Sequence, residues 1–283
     1  MKQLKKVFLL LVLLGAGFSV KAQVLDRAYV KEHNPFRKLI PYTYLREADV
    51  MWYHRVWRVV DMREKMNFPL YYPKDENMRD RNSLFKIIKK AAFLAEGTPG
   101  RLTVYSREQD DDEFNVKLNP VEVSHILIHV DTIQVVLTPG APPVDKVTVD
   151  TLLSEAISKY WMKEDWYFDK QKSVLECRII GIMPIFLKSS GGSIGDAPTF
   201  WIYFPELRPL LARNDVFNRH NDAERITFDD LFWKRQFSGY TIKENNVYDR
   251  YIAKFKTNTL EALLESERIK MGIFTLEHDL WHL

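Results

Sequence analysis

Two histidines four residues apart, His278 and His282, close a His-Asp-Leu-Trp-His run near the C-terminal end of the sequence. On a helix that spacing puts both imidazoles on one face, where they could hold a zinc ion. A zinc hydrolase of that plan carries Glu directly after the first histidine and needs a third protein ligand, whereas Asp279 follows here. Chain ends also lack the rigid scaffold that catalytic groups need. The favoured reading is therefore a structural or partner contact, and the alternative is an exported zinc hydrolase using His278 and His282. His125 and His129 repeat the spacing in β-branched sequence. On a strand rising ~3.3 Å per residue they stand about 13 Å apart, too far to share an ion, and read as sheet positions. Cys177 is the single cysteine, so no internal disulfide can form. It sits in the apolar, β-branched run from Ser173 to Ile182, with no histidine close in sequence to activate it, and reads as a buried, inert strand residue.

Two further stretches mimic ligand loops. The acidic run from Asp110 to Glu113 lacks the alternating oxygen ligands and turn glycine of a calcium loop and reads as solvated loop. Lys188 to Asp196 is glycine-rich but lacks the Gly-Lys-Ser/Thr ending and following helix of a phosphate loop, which leaves a hairpin. No nucleophile elbow or dinucleotide fingerprint appears. No catalytic residue, metal or cofactor is expected.

The elements that would position these residues predict an α+β chain, since regular βαβ alternation is absent. An extended N-terminal arm covers residues 23–40. A first α+β lobe over 41–137 starts with a short helix from Thr43 to about Tyr53. A strand from Arg55 to Met62 follows, in which Val56, Arg58 and Val60 alternate with Trp57, Val59 and Asp61. Ser83 caps a helix with Leu84, Ile87, Ile88, Ala91, Ala92 and Ala95 on one face and Gly97 past its end. Arg101 to Ser106 reads as a strand, and Val121 to Leu137 as one long strand or a hairpin. The run Thr138 to Pro143 breaks the chain within a linker at 138–147.

A second lobe covers 148–283. Asp150 can cap an amphipathic helix whose stripe is Val149, Leu152, Leu153, Ala156, Ile157, Tyr160 and Trp161. Strands at Ser173 to Leu187 and Thr199 to Phe204 flank the glycine-rich hairpin. Thr227 and Asp230 have capping-box spacing at the start of a helix to Phe237. A C-terminal helical tail runs from Thr259 with Leu260, Leu263, Leu264, Met271 and Phe274 at helical spacing, and Gly272 kinks or divides it. Glu47-Ala-Asp49 with Trp52-Tyr53, and Glu164-Asp165 with Trp166-Tyr167, suggest a duplicated unit and hence two similar small lobes of short helices and mostly antiparallel strands.

The N-terminal residues read as an export signal. Lys2, Lys5 and Lys6 precede an apolar run from Val7 to Val20, and cleavage is expected between Ala22 and Gln23, giving a signal peptide over 1–22. The run falls short of the ~20 residues a membrane-spanning helix needs. The whole chain has 41 basic and 38 acidic residues, and losing Lys2, Lys5, Lys6 and Lys21 leaves 37 against 38. That balance argues against nucleic-acid binding. No cysteine follows Ala22 to carry a lipid, so attachment to a membrane goes through a partner.

What remains is interface-type composition: seven Trp, thirteen Tyr and stretches such as Trp57 to Lys65, Trp201 to Pro205 and Phe232 to Arg235. Trp, Tyr and Arg concentrate at the energetic centres of protein interfaces because they bury area while keeping a polar handle. The competing reading is that they pack the protein's own core.

Several blocks together resemble the GldN/PorN family of Bacteroidetes gliding motility and type IX secretion. They are Arg46 to Trp52; Val56-Trp57-Arg58 through Asp61, Arg63 to Lys65 and Asn67 to Pro69-Leu-Tyr-Tyr-Pro73; Arg178 to Ile182; Thr227 to Arg235; Ala262 to Lys270; and Glu277 to His282. The resemblance implies a non-enzymatic periplasmic subunit in a ring beneath the outer membrane. Its implied partners are an outer-membrane lipoprotein, GldK/PorK, and the periplasmic part of the motor protein GldM/PorM, with self-association in the ring. Trp57, Arg58, Arg63, Trp281 and His282 are the expected partner contacts, on composition and on membership of these blocks.

Overall fold

Val56, Trp57, Val59 and Val60 are all buried, so this strand is covered on both faces and must lie inside a sheet. The computed structural model describes residues 39–74, 81–107, 112–135, 144–190, 193–219, 221 and 223–280, which belong to one compact unit. In chain order the elements are β1 (Val50–Asp61), α1 (Phe68–Tyr71), α2 (Leu84–Ala92), β2 (Val104–Tyr105), α3 (Pro120–Leu127), β3 (Ile128–Val135), β4 (Val144–Thr151), β5 (Ile157–Asp169), β6 (Val174–Ser190), β7 (Ser193–Pro198), β8 (Trp201–Tyr203), α4 (Phe204–Leu211), β9 (Asp215–Val216), β10 (Ile226–Thr227), α5 (Phe228–Trp233), β11 (Tyr240–Glu244), α6 (Ile252–Phe255) and α7 (Thr259–Leu280). The fold is α+β with antiparallel strands, as the sequence predicts.

One seven-stranded sheet runs β11-β1-β5-β6-β8-β2, with β7 also paired to β6, and two-stranded ribbons pair β9 with β10 and β3 with β4. In the central pair Val56 stands opposite Glu164, Trp57 opposite Lys163 and Val60 opposite Tyr160. Because opposed residues share a face, Val60, Tyr160, Met162 and Ile182 look toward the helices. There they meet Leu84, Phe85 and Ile88 of α2, Leu207 and Leu211 of α4, and Phe228 and Leu231 of α5. Each such buried side chain contributes about 1.5–3 kcal/mol. A smaller core joins Val56 to Ile252 of α6 and Ile269 and Ile273 of α7. Trp57, Met183 and Trp201 form a third cluster with Tyr105 and Phe114 packed against it.

Ser83 caps α2 by accepting from the Lys86 amide at 3.3 Å, and the Thr227 hydroxyl accepts from the Asp230 amide at 3.1 Å. On either side of residues 191–192, which lie outside the described residues, the glycine-rich stretch pairs antiparallel, Lys188 with Gly195 and Ser190 with Ser193, as expected of a hairpin's two arms. Three expectations fail. The helix at Thr43 to Tyr53 is only a 3₁₀ turn at Glu47–Asp49, because from Val50 the backbone pairs with β5. The stripe from Val149 to Trp161 is the end of β4, a 3₁₀ turn at Ser154–Ala156 and the start of β5; sheet partners on both sides of β5 override the helical period. Val121 to Leu127 is helix α3, since Asn119 and Glu122 form a capping box in which the Asn119 amide donates to Glu122 at 2.7 Å. Gly272 does not divide α7, which is one helix across it.

The two expected lobes share one sheet: β1, from the first, lies between β11 and β5 from the second. The repeated Trp-Tyr pairs are cross-strand neighbours, with Tyr53 opposite Tyr167. Residues 144–147 of the expected linker belong to β4. The expected signal peptide with its Ala22–Gln23 junction, most of the arm at 23–40, and Trp281 and His282 lie outside the described residues.

Candidate functional site

The expected contact residues on and just after β1 separate into inward and outward groups. Trp57 is 5% exposed and packs on Met183 and Trp201. Its indole N–H donates to Asp112, and the ammonium groups of Lys163 and Lys243 approach its ring centroid at 5.7 and 4.4 Å. Lys163 donates to the Asp112 carbonyl at 2.7 Å, so the acidic segment is tied to the sheet where it reaches Asp112. Burial pulls the Lys163 ammonium below its ordinary range against the opposing pull of Asp112. Arg58 also turns inward: Nη1 donates to the Gly239 carbonyl at 3.0 Å and Nε to Glu164 at 3.3 Å. Gly239 is required there, because a Cβ would stand 2.5 Å from the Val59 carbonyl oxygen.

Arg63 points outward, with 81% of its side chain exposed. Its guanidinium still grips Asp61, with Nη2 donating at 2.7 Å. Burial would raise the Asp61 carboxyl, but Arg63 outweighs it and holds the group below the usual carboxylate range. Of these three residues Arg63, just past the end of β1, is the one turned to solvent; Trp57 and Arg58 spend their polar atoms inside, because β1 is a central strand.

His278 is exposed on α7 with Asp279 3.6 Å from its Nδ1. His125 lies in α3 and not on a strand, and His129 is on β3. Among the described residues no group of three or more His, Cys, Asp and Glu could hold a metal ion.

A charge centre lies behind β1 and β5. Glu164 is fully buried; both its oxygens accept from Arg235 Nη2 at 3.0 Å, and one also accepts from the Trp166 indole at 3.2 Å. Burial alone would raise its carboxyl, but Arg235 and Arg58 outweigh that cost and keep it below its ordinary 4.5. Arg235 Nη1 also donates to Cys177 Sγ at 3.0 Å. Cys177 is half-buried as a residue, yet its thiol faces this centre, and burial with the Glu164 charge pushes it well above 9.0. It is therefore a protonated thiol, in line with an inert strand cysteine.

Nearby, Arg208 makes a two-pronged pair with Asp229 at 2.8 and 3.1 Å and donates to the Ile40 carbonyl at 2.9 Å. The Tyr42 ring sits 4.2 Å from the Arg208 guanidinium and stacks on Trp233 at 5.7 Å. Arg178 donates to the Thr43 carbonyl at 2.6 Å. The segment from Ile40 to Thr43, with no regular backbone structure of its own, is thus fastened to α4, α5 and β6. No periodicity links residues 58, 164 and 235 or 42, 208 and 229; their buried polar character was the only signal.

Helix α7 turns one face inward and leaves a second apolar face outward. Its inner face carries Ala262, Ser266, Ile269 and Ile273, and the Ser266 hydroxyl accepts from the Thr241 amide of β11 at 2.8 Å. Its outer face leaves Leu260, Leu264, Met271 and Phe274 exposed by 62, 63, 48 and 61%. These follow the alternating four- and three-residue steps of a helix-packing seam, with Glu267 at the intervening position and Leu263 alongside, 50% exposed. They are the residues read from the sequence as the apolar face of this helix, but the core takes the other face. A contiguous exposed apolar stripe of this kind marks an interaction site.

Among the described residues no helix is long and apolar enough to cross a membrane. A search of curated proteins finds no match. The family model of the gliding motility associated protein GldN matches residues 45–282, spanning every strand and helix described above, and the chain belongs to the GldN family.

Proposed function

We infer that this chain is an exported, non-enzymatic structural subunit of the type IX secretion and gliding machinery. It works in the periplasm, held at the outer membrane by a GldK/PorK-like lipoprotein with which it builds a ring, and it contacts the periplasmic part of a GldM/PorM-like motor. Family membership gives the machinery. The observation that carries the structural role is the outer stripe of α7, an apolar helix face on a subunit whose own core is already closed beneath it. Arg63 and the tail residues Trp281 and His282 are further contact candidates.

The export reading rests on the basic start, the apolar run and the Ala22–Gln23 junction. Cell fractionation with N-terminal sequencing tests it: a periplasmic chain beginning at Gln23 supports it, and a cytoplasmic chain retaining Met1 contradicts it. Electron microscopy of the chain co-expressed with a GldK-like lipoprotein tests the ring. Metal analysis of the purified mature chain separates this reading from the zinc hydrolase alternative, which requires one tightly held zinc per chain.

A further inference from the structure

A second surface is built differently from the α7 stripe. Where the end of α1 meets the chain beyond β9, an open groove of about 550 Å³ is lined by Phe68, Pro69, Tyr72, Pro73 and Phe217, with Lys65, Arg81 and Arg219 around them. Its size falls within the ~300–1,000 Å³ common to ligand sites. Tyr72 is 48% and Phe217 42% exposed, so the aromatic faces are presented to solvent.

The floor is rigid. Asn67, immediately before α1, is fully buried; its Nδ2 donates to the carbonyls of Asp61 and Ser238 at 2.7 and 2.9 Å, and its Oδ1 accepts from the Ser238 amide at 2.8 Å. Pro69 and Leu70 are buried, and Phe68 meets Tyr72 edge-to-face at 5.6 Å. A preorganised floor spares an incoming chain much of the ordering cost of binding.

The rim is basic. The Arg81 guanidinium lies 4.9 Å from the Phe217 ring centroid, and the Lys74 ammonium lies 5.3 and 5.9 Å from those of Tyr71 and Tyr72. Among the described residues no carboxylate pairs with Lys65, Lys74, Arg81 or Arg219, and none lines the groove. An apolar floor of proline and aromatic rings accepts an extended segment through its side chains. A rim of Lys65, Arg81 and Arg219, with no carboxylate among the described lining residues, favours carboxylates and repels basic chains.

We propose that this groove binds an extended acidic segment of a partner protein, one that places an apolar or aromatic side chain on Phe68, Tyr72 and Phe217 and carboxylates against Lys65, Arg81 and Arg219. The site is separate from the α7 stripe and does not depend on ring formation.

The test is fluorescence anisotropy of the mature protein with a labelled peptide, Glu-Asp-Phe-Pro-Leu-Asp-Glu. Two controls accompany it, one with every acid changed to lysine and one with Phe, Pro and Leu changed to serine. The acidic, apolar peptide is expected to bind at least about tenfold more tightly than either control. The Lys65→Glu/Arg219→Glu and Phe217→Ser variants, each checked for an unchanged circular dichroism spectrum, are expected to weaken it by about tenfold or more. Absent binding, equal binding of the lysine peptide, or unchanged affinity in both variants overturns the proposal. A tenfold gain in Asp75→Asn/Glu76→Gln/Asp80→Asn would show that the chain's own acidic loop occupies the groove, and overturns the partner reading as well.

Discussion

Arg235 Nη2 donates to both oxygens of Glu164 at 3.0 Å, joining residues 71 positions apart on the helix-covered face of the central sheet. Glu164 is wholly buried, so this contact ties the turn after α5 to β5. Replacing the pair with apolar residues need not destabilise, but removing one partner strands a buried charge.

Glu164→Gln is therefore expected to lower stability by about 3–5 kcal/mol, read as a fall in the urea midpoint. The pH dependence has a definite sign. The folded carboxyl lies below its ordinary 4.5 because Arg235 and Arg58 outweigh burial. Its contribution is complete above 4.5 and is lost as pH falls through the depressed folded value. Wild type should lose stability in that acid window, and Glu164→Gln should lose less. An equal acid slope in both would remove Glu164 from the account.

Trp57 and Arg63 should separate two kinds of defect. Trp57→Ala leaves a large cavity beside Met183 and Trp201 and is expected to cost about 3–5 kcal/mol in a denaturant titration. Arg63→Ala should leave the unfolding midpoint unchanged, since its side chain is largely in solvent. A stable Trp57→Ala variant would return that residue to the surface.

The clamp on Tyr42 should govern access to the chain before β1. Arg208→Lys keeps the charge but loses the two-pronged pair with Asp229 and the donor to the Ile40 carbonyl. Chymotrypsin cleavage at Tyr42 and Tyr44 is expected to speed up severalfold, with about 2–3 kcal/mol lost in global stability. Unchanged cleavage would mean that the remaining contacts hold the segment.

The two faces of α7 should respond oppositely. Ile269→Ala removes a residue that is 4% exposed and should cost about 2–4 kcal/mol. Leu260→Ser or Leu264→Ser should change stability by less than about 0.5 kcal/mol. A large loss from the outer substitutions would make that stripe part of the fold.

Local signals were legible where one segment decides its own structure. Ser83 before an amphipathic run and Thr227 three residues before Asp230 both name helix starts that the backbone adopts. Asn119-Pro-Val-Glu122 carries the same signal, masked by the β-branched residues after it. Tyr160 and Trp161 belong to a helical stripe only on paper, because β5 gains partners from β1 and β6 that no local pattern encodes. The apolar positions of α7 were also legible, but which of its two faces the core takes depends on Val56, distant in sequence, and on Ile252 of the preceding helix. The Glu164 centre draws on three separate elements, so nothing in any one stretch announces it.

Co-purification with the GldK-like lipoprotein, comparing wild type with Leu264→Ser/Phe274→Ser, decides whether the outer stripe of α7 is an assembly surface. Wild type should be retained as a stable complex. The variant should be lost from it at an unchanged unfolding midpoint. A folded variant that still joins the lipoprotein as fully as wild type would contradict the assignment of α7 as the assembly surface.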